Sequence, residues 1–246
     1  MQKHTISIIL AVLNEVNSLP QTLDQIFNLY KEQKISNVND IIIIDDGSTD
    51  GTVEYINSIS RNNPVIPVKF ISRNIKMGTV DAQLAGIAES SADYVCIMDS
   101  DGQHPVMKLL DLFPAIDRNI DLIVASRYVK GGSNSWKASR GVVSRGATIL
   151  AKFLFKGARR LKDPMSGFFI AKRSLVCNLE SVKFGYKLLL YTLSTHPDAS
   201  ILEIPMKMNS REEGESKVVS KGMDFIVKYF KEIINYKIKS NQRKKN

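Results

Sequence analysis

Apolar and polar positions along the first half of the chain repeat one rhythm: a short β-branched run, a polar turn, then a segment with apolar residues at helical spacing. The rhythm predicts strands over residues 6–12, 41–44, 68–71, 94–98 and 122–125, and helices over 19–31, 52–59, 80–90 and 106–116. Strands that alternate with helices imply an α/β fold built on a mostly parallel sheet. A run such as Ile41, Ile42, Ile43 and Ile44 is apolar on both faces and belongs between two helical layers. In sheets of this kind ligands sit beyond the carboxyl ends of the strands, so the turns that follow the strands are where chemistry is to be sought.

Those turns are acidic. The first strand leads into Asn14 and Glu15, the second into Asp45, Asp46, Gly47, Ser48, Thr49, Asp50 and Gly51, and the fourth into Asp99, Ser100, Asp101, Gly102, Gln103 and His104. No Gly-x-Gly-x-x-Gly and no Gly-Lys-Ser/Thr loop follows a strand, which removes the main support for a dinucleotide oxidoreductase or a P-loop NTPase. Two carboxylates one residue apart, Asp99 and Asp101, can turn their oxygens toward one hard cation such as Mg²⁺ or Mn²⁺. The same residue types also cap helices, and Asp, Ser, Thr and Gly are ordinary turn formers, so the letters alone leave both readings open.

Composition bounds the picture. A chain of 246 residues with 43% hydrophobic content suits one large domain and a short appendage better than two small domains. Two cysteines, Cys96 and Cys177, offer neither a disulfide framework nor a zinc spacing, and a reducing cytoplasm is the expected compartment. The first residues lack the apolar core and cleavage site of a signal peptide, and no apolar stretch approaches the roughly 20 residues of a spanning helix. The net charge of +9 is concentrated at the end, where residues 221–246 carry eight basic side chains against Asp224 and Glu232. Met223, Ile226, Val227, Phe230, Ile233 and Ile234 recur there at helical spacing, which predicts an amphipathic helix. Such a helix either packs back on the domain or lies in an anionic membrane interface, where each basic residue adds about 1 kcal/mol of attraction.

Several pieces occur together and in order: Asn14–Glu15, DDGSTDGT over 45–52, MDSDGQHP over 98–105, Ser126–Arg127, DPMSGFF over 163–169, and R-x-x-G-x-S-K over 211–217. Through them, residues 5 to 217 resemble the family 2 glycosyltransferases of the GT-A fold, and most closely the dolichol- and polyprenyl-phosphate mannose synthases. The sequence departs from that pattern at Ala11, where Pro is common, at Leu13, where an aromatic residue is frequent, and at Gly78, Thr79 and Val80, where the family often has Gly-Leu-Gly. The resemblance implies a catalytic domain over 1–217 and a basic amphipathic tail over 218–246. It implies that Glu15, Asp46, Asp99, Arg211 and Lys217 bind the nucleotide sugar, with Mg²⁺ or Mn²⁺ held by Asp99, Asp101 and Gln103. Arg127, Arg140 and Ser144 would hold the acceptor phosphate, and Asp101, Arg127 and Arg211 form the expected catalytic set.

The implied donor is GDP-mannose, with UDP-hexoses next, and the implied acceptor is polyprenyl or dolichyl phosphate. A phosphate monoester has a second pKa of about 6 and is largely a dianion near neutral pH, so it attacks without a general base and needs cations to approach a diphosphate. A lipid acceptor places the expected protein at the cytoplasmic face of the membrane, as a peripheral enzyme or beside an anchoring subunit. One rival is a family 2 enzyme that glycosylates a glycan hydroxyl, for which Asp163 is the base candidate by position. Another is a non-catalytic protein that uses its basic tail on nucleic acid, which leaves the acidic sheet edge unexplained. No nucleic-acid partner is expected.

Overall fold

The computed structural model describes residues 4–61, 65–73, 76–133, 138–179, 187–210 and 231, with the side chains of 138–143 left aside. In chain order the elements are β1 (Ile6–Val12), α1 (Leu19–Lys31), β2 (Val38–Asp45), α2 (Thr52–Arg61), β3 (Val68–Ser72), α3 (Thr79–Glu89) and β4 (Tyr94–Met98). They continue with α4 (Leu109–Leu112), β5 (Leu122–Ser126), α5 (Ala138–Leu154), β6 (Phe169–Lys172), α6 (Arg173–Val176), α7 (Leu188–Thr195) and β7 (Ile201–Pro205). The Arg211, Ser216 and Lys217 loop, the 217/218 boundary and the expected C-terminal helix lie outside the described residues.

One seven-stranded sheet runs in the order β3-β2-β1-β4-β6-β5-β7. Every pairing is parallel except those of β6, which is antiparallel to β4 and to β5. Consequently β1 to β5 and β7 all end at one edge, and the loop before β6 arrives at that same edge. The mostly parallel α/β sheet is therefore as expected, while β6 and β7 come from segments where the sequence offered no strand pattern.

Alternate strand residues serve two cores. Ile8, Leu10, Ile41, Ile43, Cys96 and Met98 face α1 and α4, with Leu23, Ile26, Leu109 and Leu112 in the same cluster. Ile9, Ile42, Ile44, Val95 and Ile97 face α3 and α7, with Val80, Leu84, Ile87, Leu189 and Leu193. Gly86 lets α3 lie close to the sheet, since a Cβ there would stand 2.5 Å from Ile44 Cδ1 and 2.7 Å from Ile9 Cγ2.

The helix expected over 106–116 is broken. Residues Val106–Lys108 and Phe113–Arg118 form 3₁₀ turns around the four-residue α4. Pro114 has no N–H to give and its ring crowds the preceding turn, so a continuous α-helix cannot pass through it.

Candidate active site

At the ends of β1 and β2 the turns are locked to each other by local hydrogen bonds. Asn14 takes a left-handed conformation (φ 56°), its N–H donates to Ser48 Oγ (2.8 Å), and its Oδ1 accepts from Thr49 N (2.9 Å). Asp45 accepts from the amides of Gly47 and Ser48. Asp50 accepts from Thr52 N (3.1 Å), Thr52 Oγ1 (2.6 Å) and Val16 N (3.1 Å), while Thr52 Oγ1 accepts from Glu15 N (3.0 Å). Partial burial opposes the ionisation of Asp50, but the Thr52 hydroxyl and the amides outweigh it and hold its carboxyl below the ordinary carboxylate range. Glu15 accepts from Ser18 Oγ at 2.7 Å.

Asp46, expected to meet the nucleoside, has both oxygens engaged within the protein. Its Oδ1 accepts from Arg73 Nη2 (2.6 Å) and Met77 N (3.1 Å), and its Oδ2 from Gly78 N (2.9 Å). Arg73 also pairs with Asp81 on α3. Arg73 and Asp81 were not among the expected site residues. Arg73 directly follows β3, so the rule that sites gather beyond strand ends already pointed to it.

The acidic turn after β4 is built around a histidine. His104 is buried, stacks on Phe168 at 5.2 Å between ring centres, and accepts the Asp99 N–H at Nδ1 (2.8 Å). Burial lowers its pKa from the ordinary value, against the pull of Asp99 and Asp101 and with the help of Lys187 and Arg127, so the ring is a neutral hydrogen-bonding group. Its Nε2 lies 3.6 Å from Asp99 Oδ2. Asp101 Oδ1 accepts from Gln103 N (3.1 Å), and Gln103 itself is buried. Gly167 explains the glycine of the 163–169 loop: a Cβ there would meet His104 Cε1 at 3.2 Å, Lys187 Nζ at 3.3 Å and Asp99 Oδ2 at 3.4 Å. Lys187 stands at the start of α7, and nothing in its local sequence announced a place beside the acidic turn.

The residues of this turn suit a divalent ion that is completed by substrate. Among the described residues no three His, Cys, Asp or Glu side chains are grouped as a self-sufficient metal site. Asp99 is 37% exposed in its side chain, and Ser100 Oγ between the carboxylates is buried without a partner among the described residues. A pair of carboxylates at a strand end is what Mg²⁺ needs when phosphate oxygens and water supply its other ligands.

On the β5 side, Arg127 is tied to the 163–169 loop. Expected to hold the acceptor phosphate, it is 7% exposed. Its Nε and Nη2 donate to Asp163 Oδ2 and Oδ1, both at 2.7 Å, and its backbone N–H also donates to Asp163 Oδ2 (3.0 Å). Asp163 is 0% exposed and shares its oxygens with this arginine, so the geometry withdraws it as the candidate general base. The reason is topological: antiparallel β6 brings the 163–169 loop directly against the end of β5. The Arg127 guanidinium carbon lies 5.2 Å from the centre of the Tyr128 ring, and Tyr128 Oη shares a 2.9 Å hydrogen bond with Ser144 Oγ on α5. Tyr128 had not been singled out. Arg140 lies on α5, with its side chain outside the described set, as is Arg211.

This arrangement has known relatives. The family model for glycosyl transferase family 2 matches residues 7–177. The chain belongs to glycosyl transferase family 2. A dolichol-phosphate mannosyltransferase of Pyrococcus furiosus is 32% identical over 217 residues, covering 88% of this chain and 60% of the relative, so the chain spans less than two thirds of that protein. A dolichol-phosphate mannosyltransferase of Saccharomyces cerevisiae is 30% identical over 82% of this chain and 77% of its own length. An undecaprenyl-phosphate mannosyltransferase of Micrococcus luteus is 28% identical over 85% and 86%. Among solved structures, a glucosyl-3-phosphoglycerate synthase of Mycobacterium tuberculosis superposes with a TM-score of 0.69 at 22% identity, covering 95% of this chain and 80% of that one. The mannosyl-3-phosphoglycerate synthase of Rubrobacter xylanophilus gives a TM-score of 0.71 at 15% identity, covering 98% and 75%. These two likenesses establish a shared GT-A-type fold.

Proposed function

We propose that this glycosyl transferase family 2 protein moves a hexose, mannose from GDP-mannose, onto a polyprenyl or dolichyl phosphate with inversion at the anomeric carbon. The observation that carries this is the double role of the 163–169 loop. Through Gly167 and Phe168 it backs the acidic turn, and through Asp163 it fixes Arg127 beside Tyr128 and Ser144. The loop that marks resemblance to lipid-phosphate enzymes thus joins a diphosphate side to an acceptor side. The names of the curated relatives support the mannose donor and the lipid acceptor.

In the proposed reaction a phosphate oxygen of the acceptor attacks the anomeric carbon as the bond from that carbon to the nucleoside diphosphate breaks. No proton has to be removed, which agrees with the withdrawal of Asp163 as a base. Asp99 and Asp101, with Gln103 beside them, would hold Mg²⁺ or Mn²⁺, which would supply positive charge to the diphosphate leaving group. The Mycobacterium tuberculosis synthase, seen with Mn²⁺ and UDP-glucose, supports a divalent ion. Glu15 and Asp46 line the nucleoside side, with Asp46 acting by fixing the Met77–Gly78 backbone through its hydrogen bonds. Ser144 and Arg140 receive the acceptor phosphate. Arg127, neutralised by Asp163, orders the acceptor side beside Tyr128, and Arg211 and Lys217 supply positive charge to the phosphates. The protein works at the cytoplasmic face of a membrane as a peripheral enzyme or beside an anchoring subunit.

A panel of labelled nucleotide sugars incubated with polyprenyl phosphate, detergent and Mn²⁺ tests the reading. Label from GDP-mannose should enter the organic extract, and label confined to a water-soluble glycan overturns the acceptor. Asp101→Asn, verified as folded, should lower transfer by about a hundredfold or more. Parent-like rates with either metal would remove the acidic turn from the chemistry.

A further inference from the structure

Lys187 is a cation that the proposed reaction does not yet use. It immediately precedes α7, and its ammonium lies beside the acidic turn. A Cβ built on Gly167 would stand 3.3 Å from Lys187 Nζ and 3.4 Å from Asp99 Oδ2, so the two groups flank one point of the 163–169 loop. The charge also reaches His104, which accepts the Asp99 N–H and whose pKa Lys187 and Arg127 both help to depress. The helix carries Lys187 to the acceptor side as well. At the far end of α7 the Leu193 carbonyl lies against Gly157, just past α5, where a Cβ would be 2.2 Å from the oxygen. One turn earlier, Leu190 packs in the cluster of Ala147, Ala151 and Phe155. The two helices thus advance together toward the site, and one further turn back along each stand Ser144 and Lys187.

We propose that Lys187 Nζ binds the attacking phosphate of the acceptor, as a further catalytic residue between the acidic turn and Ser144. Asp99 and Asp101 place two negative charges at this edge, and a phosphate dianion has to approach both them and a diphosphate. The charge of Arg127 is already matched by Asp163. A compact ammonium on a flexible four-carbon stem meets a phosphate oxygen as a point charge and can follow it during attack. Lys187 gives up no proton; it offsets the charge of the oxygen that forms the new bond.

The same ammonium selects the class of acceptor. A neutral sugar hydroxyl needs a carboxylate to take its proton, and here α7 brings a cation to the acidic turn while Asp163 is locked to Arg127. An acceptor that arrives already ionised fits both facts. The assignment deepens the lipid-phosphate reading and rests on it for the identity of the phosphate.

Steady-state transfer from GDP-mannose to farnesyl phosphate, a short polyprenyl phosphate, tests the assignment in K187M, which keeps most of the stem and removes the charge. K187M should raise KM for farnesyl phosphate about tenfold or more. It should leave KM for GDP-mannose unchanged, as well as the Mn²⁺ affinity read by electron paramagnetic resonance with GDP. K187R, which restores the charge, should recover much of the loss. An unchanged acceptor KM overturns the proposal. So does an equal rise in both KM values, the mark of a structural role, or a loss confined to donor and Mn²⁺, which moves Lys187 to the diphosphate side. If K187M does not fold, amine acylation of the parent, mapped by peptide mass spectrometry, decides: farnesyl phosphate should protect Lys187, and equal labelling with and without it overturns the proposal. The same labelling separates the two readings. A parent that transfers no sugar to any lipid phosphate, yet has Lys187 protected by farnesyl phosphate, overturns the function and leaves the phosphate site standing. Transfer to farnesyl phosphate with a parent-like KM in K187M does the reverse.

Discussion

The two halves of the site edge are held by different physics. On the proposed donor side, the ends of β1 and β2 are tied by short polar side chains to backbone amides, as in the Asn14, Ser48, Asp50 and Thr52 set. Such bonds contribute about 1 kcal/mol each, and many of them are partly exposed. On the proposed acceptor side, one buried bidentate pair, Arg127 with Asp163, holds the end of β5 against the loop before β6. The Asn14, Ser48, Asp50 and Thr52 set is a distributed network, supplemented after β3 by Arg73, which is shared between Asp46 and Asp81. The acceptor side depends on a desolvated charge pair, in which removal of one partner strands the other.

The largest expected effect follows from that asymmetry. Asp163→Ala should lower unfolding stability by about 3–5 kcal/mol, because the Arg127 guanidinium is left buried without its carboxylate. Denaturant unfolding reads this, and a loss below about 1 kcal/mol would show that the pair is no more critical than a donor-side bond. Next comes Thr52→Val, which removes a donor to Asp50 and an acceptor for Glu15 N at once. It should lower stability by about 1–2 kcal/mol with little change in the apparent affinity for acceptor. Equal damage from both substitutions would erase the contrast between the halves.

Tyr128→Phe sharpens the comparison on the acceptor side alone. Loss of its bond to Ser144 should raise KM for the lipid phosphate by about threefold to tenfold and leave KM for the nucleotide sugar unchanged. A shift of the donor KM instead would place Tyr128 in the wrong half.

The smallest effect is a pH dependence of the donor-side lock. The folded-state pKa of Asp50 is depressed, so its contribution is full above the ordinary carboxylate value of 3.8 and is lost as pH falls through the lower folded value. Parent stability should therefore decline more steeply with acidification in this window than that of Asp50→Asn. Parallel curves for the two proteins would show that the Thr52 and Val16 bonds do not favour the charged form.

These differences also govern what could be seen before folding. The bounds of β1, α1 and β4 were legible residue for residue, because their apolar pattern is local: the two strands are apolar on both faces and α1 on one. The acidic turns were legible for the same reason, since their residues are sequence neighbours. The interruption of the helix expected over 106–116 was written in Pro114 but outweighed by apolar spacing. Strand β6 has four residues and no alternation to announce it, and Arg73, Lys187 and Tyr128 joined the site from separate elements.

By itself, the sequence determined the family, the alternating α/β architecture and the edge of the sheet where carboxylates collect, since each follows from short-range pattern or from motifs read in order. Only the tertiary structure decided that β6 runs against its neighbours. That reversal delivers Asp163 to Arg127 and Gly167 to the acidic turn, thereby joining the base candidate of the rival reading and an expected acceptor-phosphate residue in one buried pair. A contact between residues 36 positions apart depends on strand direction and register, which are set by the packing of the whole sheet and by no local run of side chains.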